Sequence, residues 1–128
     1  GVNKRIHIGG ECSADYLNSF NYNAKTLIIC DCEGAEKDLF TKHNCSSLKE
    51  VDLLIEMHDF IIPGISTYLK ELFHMSHEVQ VITSISDSCK QEQYECTLFE
   101  ENNPHLREII FSEGRPDGMQ WIFLKSRA

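Results

Sequence analysis

Residues 26–36 read TLIICDCEGAE, an apolar run that ends in a cluster of acids. The apolar residues 27–30 show no polar alternation, which is typical of a strand buried on both faces of a parallel sheet covered by helices. Asp31, Glu33 and Glu36 follow this strand directly. Because ligands of open α/β sheets bind beyond the carboxyl ends of the strands, we expect these carboxylates to face a substrate, a cation or a cofactor.

A second apolar strand, predicted at residues 51–59, ends in acids and also carries a histidine. Glu56, His58 and Asp59 lie at its end, so both predicted strands end in acidic side chains. Between the strands, Gly34 fits a strand-to-helix turn that needs unusual dihedral angles or a close approach.

Hydrophobic periodicity predicts strands and helices that alternate along the chain. Strands are predicted at residues 4–8, 27–30, 51–59, 79–83 and 119–124, and helices at 14–20, 35–43, 65–75, about 94–99, and from 103 onward. This alternation implies βαβ units with right-handed crossovers. The predicted fold class is therefore α/β, a three-layer sandwich with a mainly parallel sheet and an antiparallel pair of final strands at one edge.

The length and the charge of the chain limit its number of domains and the kinds of partner that it can bind. At 128 residues the chain has the size of one domain, residues 1–128. The net charge of −8 and the pI near 5.1 argue against the basic face of nucleic-acid binders. No apolar run approaches the roughly 20 residues of a membrane span, and no signal peptide is visible. We therefore expect neither a nucleic-acid nor a membrane partner.

Six cysteines lie at positions 12, 30, 32, 45, 89 and 96 and form neither a CxxC pair nor a zinc-type spacing. Cys30 and Cys32 have the spacing of one strand face and are interpreted as small core residues rather than ligands. With no secretory signal, a reducing cytoplasm is the expected location.

The two strand ends together resemble a known enzyme family. The segments Asp31-Cys32-Glu33-Gly34-Ala35-Glu36 and Glu56-Met57-His58, followed by residues 113–116 and 119–121, look like the carboxyl-terminal half of an FkbM-type methyltransferase. That family's pattern is an apolar strand running into Asp-x-Glu-Gly-x-Glu, then a strand running into Glu-x-His. The resemblance covers about residues 6–124. It implies a class I, Rossmann-like fold, S-adenosylmethionine as methyl donor, and an oxygen of a small-molecule acceptor.

The chain departs from the family in lacking the glycine-rich cofactor loop and the acid that would bind the cofactor's ribose. By the resemblance, residues 4–8 correspond to the third strand of the full fold and 27–30 to the fourth. The chain is therefore expected to be a truncated, acceptor-side part of a methyltransferase domain, inactive alone. The open edge of the fourth strand would pair with the amino-terminal strand or with a second copy, giving a homodimer.

The acids and the histidine have several candidate roles. Asp31, Glu56 and His58 are candidate ligands of a divalent metal ion, because oxygen-rich sets with one imidazole suit Mg²⁺, Mn²⁺ or a harder transition metal. The alternative is a hydrogen-bonded acidic pocket that holds substrate without metal. His58 is also a candidate general base, or a loop cap. Glu33 completes the candidate catalytic set, whereas Glu36 is expected to be structural, at a helix amino terminus.

Other reactive residues receive weaker assignments. By the resemblance, Cys12 lies near the cofactor's adenine, with a plain loop role as the alternative. Arg115 is either a loop anchor or a clamp on an anionic substrate, and Trp121 is expected in the core. The histidines predicted to lie at the surface are His43, His74, His77 and His105.

Two rival functions are compatible with the same residues. One is a non-catalytic binding or assembly module that associates through the open edge. The other is a metal-dependent hydrolase, which is less favoured because no nucleophile or paired-metal spacing is visible.

Overall fold

The computed structural model describes residues 6–23, 25–94, 104–112 and 114–128, with only the backbone of residues 104 and 107. In chain order the helices and strands are α1 (Ala14–Asn18), β1 (Leu27–Cys30), α2 (Glu36–Leu39), β2 (Asp52–Met57), α3 (Ile65–Phe73), β3 (His77–Thr83), α4 (Asp87–Gln93), α5 (Pro104–Phe111) and β4 (Gln120–Ser126).

The four strands form one open sheet in the order β1-β2-β4-β3. β1 and β2 are parallel, whereas β4 is antiparallel to both β2 and β3. The α/β class and the antiparallel pairing of the last two strands are confirmed. The sheet is mixed rather than mainly parallel, because the reversed β4 lies between β2 and β3 and leaves a single parallel ladder among the described strands.

The core lies against one face of the sheet. On that face Leu53 and Ile55 of β2 lie opposite Leu124 and Ile122 of β4, and all four side chains are fully buried. The helices and their connections complete the cluster with Leu17, Phe40, Leu48, Val51, Ile65, Leu69 and Phe73. The predicted apolar stripe of α3 therefore packs on the sheet as expected for an amphipathic helix.

The opposite face of β1 is open. Leu27 and Ile29 are 51% and 65% exposed, because side chains alternate along a strand and only Ile28 and Cys30 point into the core layer. The prediction that β1 is buried on both faces is wrong. In the part of the chain that the structure describes, no third layer covers this strand.

The amino-terminal strand predicted at residues 4–8 is not formed in residues 6–8, which have no regular structure, and residues 4 and 5 lie outside the described part. The first helix is shorter than predicted but begins where expected. The Ser13 hydroxyl accepts from the amide of Tyr16 at 3.1 Å as its amino-terminal cap.

The helix predicted at residues 35–43 ends early. Phe40 is extended at the carboxyl end of α2. The fully buried Asn44 side chain donates to the Leu39 carbonyl at 2.8 Å and accepts from the Thr41 amide at 2.9 Å. These two bonds satisfy the Leu39 carbonyl and the Thr41 amide, which in a longer helix would bond to other backbone groups.

The polar segment after β3 contains a helix that the hydrophobic pattern did not reveal. α4 begins at the Ser86 cap, whose hydroxyl accepts from the Cys89 amide at 3.2 Å. The helix predicted near residues 94–99 falls mostly outside the described residues. α5 is confirmed from Pro104, and its cap Asn103 lies outside the described part.

His77 was predicted at the surface, but it is fully buried. Its Nε2 lies 2.9 Å from the Val51 carbonyl oxygen and its Nδ1 lies 2.8 Å from the Ser76 hydroxyl. The imidazole therefore connects the start of β3 to the segment before β2. The surface prediction was wrong because it rested on the polar residues next to His77 in the sequence.

None of the helices in the described ranges combines the length and the apolar character needed to cross a bilayer.

Candidate functional site

The carboxyl ends of β1 and β2 lie side by side because these two strands are parallel neighbours. Asp31 and Glu33 follow β1, Glu56 lies near the end of β2, and His58 follows it. The structure brings all four predicted catalytic residues together around the imidazole of His58.

Glu36, at the start of α2, orients that imidazole. Its Oε1 lies 2.7 Å from His58 Nδ1, and both side chains are fully buried. Since an ionised carboxylate only accepts hydrogen bonds, Nδ1 donates to Glu36, and in the neutral tautomer that this contact favours the lone pair lies on Nε2. Glu36 was predicted to be structural at a helix amino terminus, and in the structure its carboxylate also contacts His58, one of the candidate site residues.

The free nitrogen of His58 faces three further carboxylates. Its Nε2 lies 3.6 Å from Asp31 Oδ1, 3.4 Å from Glu33 Oε2 and 3.5 Å from Glu56 Oε2. These distances are long for hydrogen bonds. Among the described residues, Nε2 and Glu56 Oε2 have no hydrogen-bond partner although both are buried. A buried polar atom without a hydrogen bond destabilises the folded state by about 1–3 kcal/mol. The centre of this cluster is therefore suited to bind a ligand that supplies the missing partner.

Arg115 closes one side of the cluster. Its Nη1 donates to Glu56 Oε1 at 2.6 Å, and its Nη2 lies 3.5 Å from Glu33 Oε1. The hydrogen bond and the charge of Glu56 raise the pKa of Arg115. The guanidinium thus anchors the loop after α5 to the acids, which is the first of the two roles predicted for it.

The turn between β1 and α2 directs Glu33 toward His58. Glu33 has a φ of 51° and is a non-glycine residue in the left-handed region, a conformation that costs about 1–3 kcal/mol and concentrates at functional sites. Gly34 follows with a φ of 102°. A Cβ at Gly34 would lie 3.2 Å from the Ile61 side chain, so the predicted need for glycine is confirmed.

Asp59 has a different task from its neighbours at the strand end. Its carboxylate accepts from the amides of Gly64 and Ser66 at 3.0 and 3.1 Å. These bonds hold the loop between β2 and α3, which also carries Ile61 against the Gly34 turn. Asp59 therefore supports the site without facing its centre.

Cys30 and Cys32, which flank Asp31, do not supply a nucleophile to the site. The Sγ atoms of Cys30 and Cys32 lie 3.4 Å apart, and burial raises the pKa of both thiols, with the hydrogen bond between them adding to the rise at Cys30. Both thiols are therefore protonated near neutral pH. Cys12 is exposed before α1 and borders an open hollow of about 440 Å³ with Cys32 and Asp38.

The cluster offers an imidazole lone pair, rim carboxylates and one guanidinium, a set that can bind a cation or hold a hydroxyl group and take its proton. Sequence reasoning missed the contact of Glu36 with His58 and the contact of Arg115 with Glu56, because each joins residues far apart in the chain. No protein-family model, curated protein or solved structure matches this chain.

Proposed function

We propose that this chain forms the acceptor side of an S-adenosylmethionine-dependent O-methyltransferase. The observation that carries the proposal is the buried Glu36–His58 pair, whose unpartnered Nε2 faces the acids at two neighbouring strand ends. These are the residues through which the sequence resembles FkbM-type methyltransferases. An acceptor hydroxyl bound at this cluster would be held between the imidazole and the acids.

The rim of the cluster supports a role in binding an acceptor. The side chains of Asp31 and Glu33 are 41% and 62% exposed, so they can accept hydrogen bonds from a polyhydroxylated small molecule. His58 and Glu56 lie behind them and are buried. In methyl transfer the protein acts mainly by holding the acceptor oxygen in line with the methyl group, and a rigid, buried imidazole suits that task.

The sequence elements typical of an S-adenosylmethionine site are missing from this chain. The sequence has no glycine-rich loop after a strand and no acid placed to bind the ribose. Cys12, predicted near the adenine, lies in an exposed loop. The methyl donor would therefore be bound by protein outside the described residues, and we derive no step that passes through it.

Methyl transfer by the protein that contains this chain tests the proposal directly. Asp31→Asn and His58→Gln are each expected to reduce transfer to a hydroxyl acceptor by about a hundredfold, because the acceptor loses its fixed position. Glu71→Gln, an exposed acid on α3, is the matched control and should be neutral. Transfer that survives both site replacements would overturn the proposal.

Titration of this chain alone with S-adenosylmethionine tests whether the methyl donor is bound by other parts of the protein. Weak or no binding is expected. Tight binding of one molecule per chain would contradict the assignment of this chain to the acceptor side.

A second candidate function is a non-catalytic assembly module, and the open face and edge of β1 favour it. β1 is an edge strand of the sheet, with Leu27 and Ile29 exposed. An edge strand presents unpaired backbone groups to a partner chain, so a homodimer would form here. A concentration-dependent solution mass, combined with methyl transfer that ignores the site replacements, would favour this function.

A further inference from the structure

We infer that Asp31, Glu33 and His58 form a binding site for a divalent transition-metal ion. The ligand atoms are one carboxylate oxygen of each acid and Nε2 of the imidazole. Glu36 would be a positioning residue, since its Oε1 contacts the other nitrogen of His58. This inference rests on the proposed function only for what the ion would do in catalysis, because ion binding is measurable without methyl transfer.

The spacing of the three ligand atoms fits a shared ion. They lie within 4.8 Å of one another, with Nε2 at 3.4 Å from Glu33 and 3.6 Å from Asp31. Two ligands that are each about 2.1 Å from an ion at a tetrahedral angle lie roughly 3.4 Å apart. The two separations from Nε2 are thus long for hydrogen bonds and close to the separation of two ligands of one ion.

The environment of His58 is a second observation, separate from the two acidic ligands, that is typical of a metal-binding histidine. It is fully buried, and its Nε2 has no hydrogen-bond partner in the described part of the chain. Its other nitrogen donates to the buried Glu36 carboxylate at 2.7 Å. A carboxylate on the far ring nitrogen is the usual support of a metal-ligating histidine, because it fixes the tautomer and the orientation of the ring.

The charge around the imidazole also favours a cation. Four carboxylates, those of Asp31, Glu33, Glu36 and Glu56, lie within 3.6 Å of a ring nitrogen of His58. Among the described lysines and arginines, only Arg115 is paired with them, through Glu56 and Glu33. A divalent ion would offset much of the remaining negative charge at the point where the carboxylates converge.

The ligand types select the class of ion. One imidazole and two carboxylates suit Mn²⁺, Fe²⁺, Co²⁺ or Zn²⁺ better than Ca²⁺, which prefers oxygen alone. Asp31 and Glu33 are exposed on their outer sides, so an ion held here would keep open positions. A site with open positions is typical of a catalytic ion that binds a substrate oxygen rather than of a closed structural one.

Titration of the chelator-treated chain with Mn²⁺ and with Zn²⁺ tests the inference, using calorimetry and, for Mn²⁺, electron paramagnetic resonance. One ion per chain is expected. Asp31→Asn should weaken binding by at least about tenfold, and Glu36→Gln by about 10- to 100-fold through the orientation of the ring. Glu71→Gln should bind as the wild type does.

A spectroscopic readout separates ligation from a general effect of charge. Zn²⁺ should shift the Nε2 resonance of His58 in nitrogen NMR spectra, whereas His58→Gln abolishes both the signal and the tight binding. Because Asp31 lies at the exposed rim, Asp31→Asn should leave the circular dichroism spectrum unchanged, so its loss of affinity cannot be ascribed to unfolding. A folded wild-type chain that binds neither ion at millimolar concentration, or whose Nε2 resonance ignores Zn²⁺, would overturn the inference.

The two proposals fail in different ways. Methyl transfer that requires His58 but is unaffected by chelators, in a chain that binds no ion, would leave the proposed function standing and remove the metal site. Tight ion binding at His58, in a protein whose methyl transfer is unchanged by Asp31→Asn, would leave the metal site standing and remove the proposed function.

Discussion

Among single residues, Arg115 connects the loop after α5 to the acids of the site. It reaches from the loop after α5 to the nearly buried carboxylate of Glu56, 59 positions earlier in the chain. The charge-assisted bond satisfies Glu56 Oε1 and fixes the direction of Oε2, which faces His58. A buried carboxylate without this partner would have to be protonated or hydrated.

Replacement of Arg115 tests how much this contact contributes to stability. Arg115→Ala is expected to lower the free energy of unfolding by more than the control variant does, because a hydrogen bond to the buried Glu56 carboxylate is lost. Urea denaturation gives the value. The control is Lys49→Ala, which removes an ion pair to Glu50 that is 4.0 Å long and exposed, and which should cost less than about 1 kcal/mol. Equal losses in the two variants would contradict the special role of Arg115.

At the level of the elements, the strand-turn-helix connection from β1 to α2 positions the acids. Glu33 and Gly34 occupy the left-handed region in succession, which bends the chain so that Glu33 and Glu36 approach opposite nitrogens of the same imidazole, that of His58. The loop after β2 packs against this turn through Ile61. The two connections therefore form one support for the site.

Gly34→Ala tests that support. The variant is expected to lose more than about 1 kcal/mol of stability, because a residue with a Cβ is strained at positive φ and its Cβ would lie 3.2 Å from Ile61. Thermal and urea denaturation measure the change. Gly10→Ala is the matched control, since nothing lies within 4 Å of a Cβ at that position. A Gly34 variant as stable as the Gly10 variant would refute the assigned strain.

A second contact between elements joins α3 to the end of α2. The hydroxyl of Tyr68 donates to the Phe40 carbonyl at 2.8 Å, at the point where α2 stops being helical. Tyr68→Phe is expected to cost about 1 kcal/mol, the usual contribution of one such hydrogen bond. Tyr16→Phe, at a half-exposed ring, should be nearly neutral.

The contribution of Tyr68 should also depend on pH in a defined direction. Burial raises the pKa of Tyr68 above its ordinary value of 10.0, so the unfolded chain releases this proton at a lower pH than the folded chain. The stability advantage of wild type over Tyr68→Phe is therefore full below about pH 10 and declines as the pH rises through the folded-state pKa. Urea denaturation at pH 8 and above pH 10 would measure it, and an advantage that grows with pH would contradict the assignment.

For the molecule as a whole, the uneven covering of the sheet is the main feature. The helices α1, α2 and α3 contribute to the core on one face, while the edge strand β1 exposes Leu27 and Ile29 on the other. Exposed apolar side chains grouped on a strand with an open edge are typical of an association surface.

Ile29→Lys tests association through this face. If copies of the chain meet at β1, the wild-type mass measured by light scattering should rise with concentration, and the variant should remain monomeric because a charge is placed in the contact. Stability should change little, since Ile29 is mostly exposed. Met75→Lys, on a residue 79% exposed after α3, is the matched control. A wild-type mass that stays monomeric at all concentrations would exclude this homodimer.

Local patterns in the sequence were sufficient for the elements that bury a clear apolar stripe or run. β1, β2, β3, β4 and α3 were predicted because side-chain periodicity reports which face of an element meets the core. The same patterns placed acids and His58 at two strand ends. Short polar elements such as α4, and the early end of α2 at Asn44, depend on caps and side-chain bonds that periodicity does not report.

Contacts between distant residues were decided by the tertiary structure alone. The insertion of β4 between β2 and β3, the bond from Glu36 to His58 across 22 positions and the bond from Arg115 to Glu56 all depend on how whole elements pack. Burial of His77 and exposure of Ile29 have the same origin, since a residue's environment is set by its neighbours in space. Local sequence patterns thus identified the residues at the ends of β1 and β2. Packing decided that they surround one imidazole with a free nitrogen, because only the folded chain places those groups within 4 Å of one another.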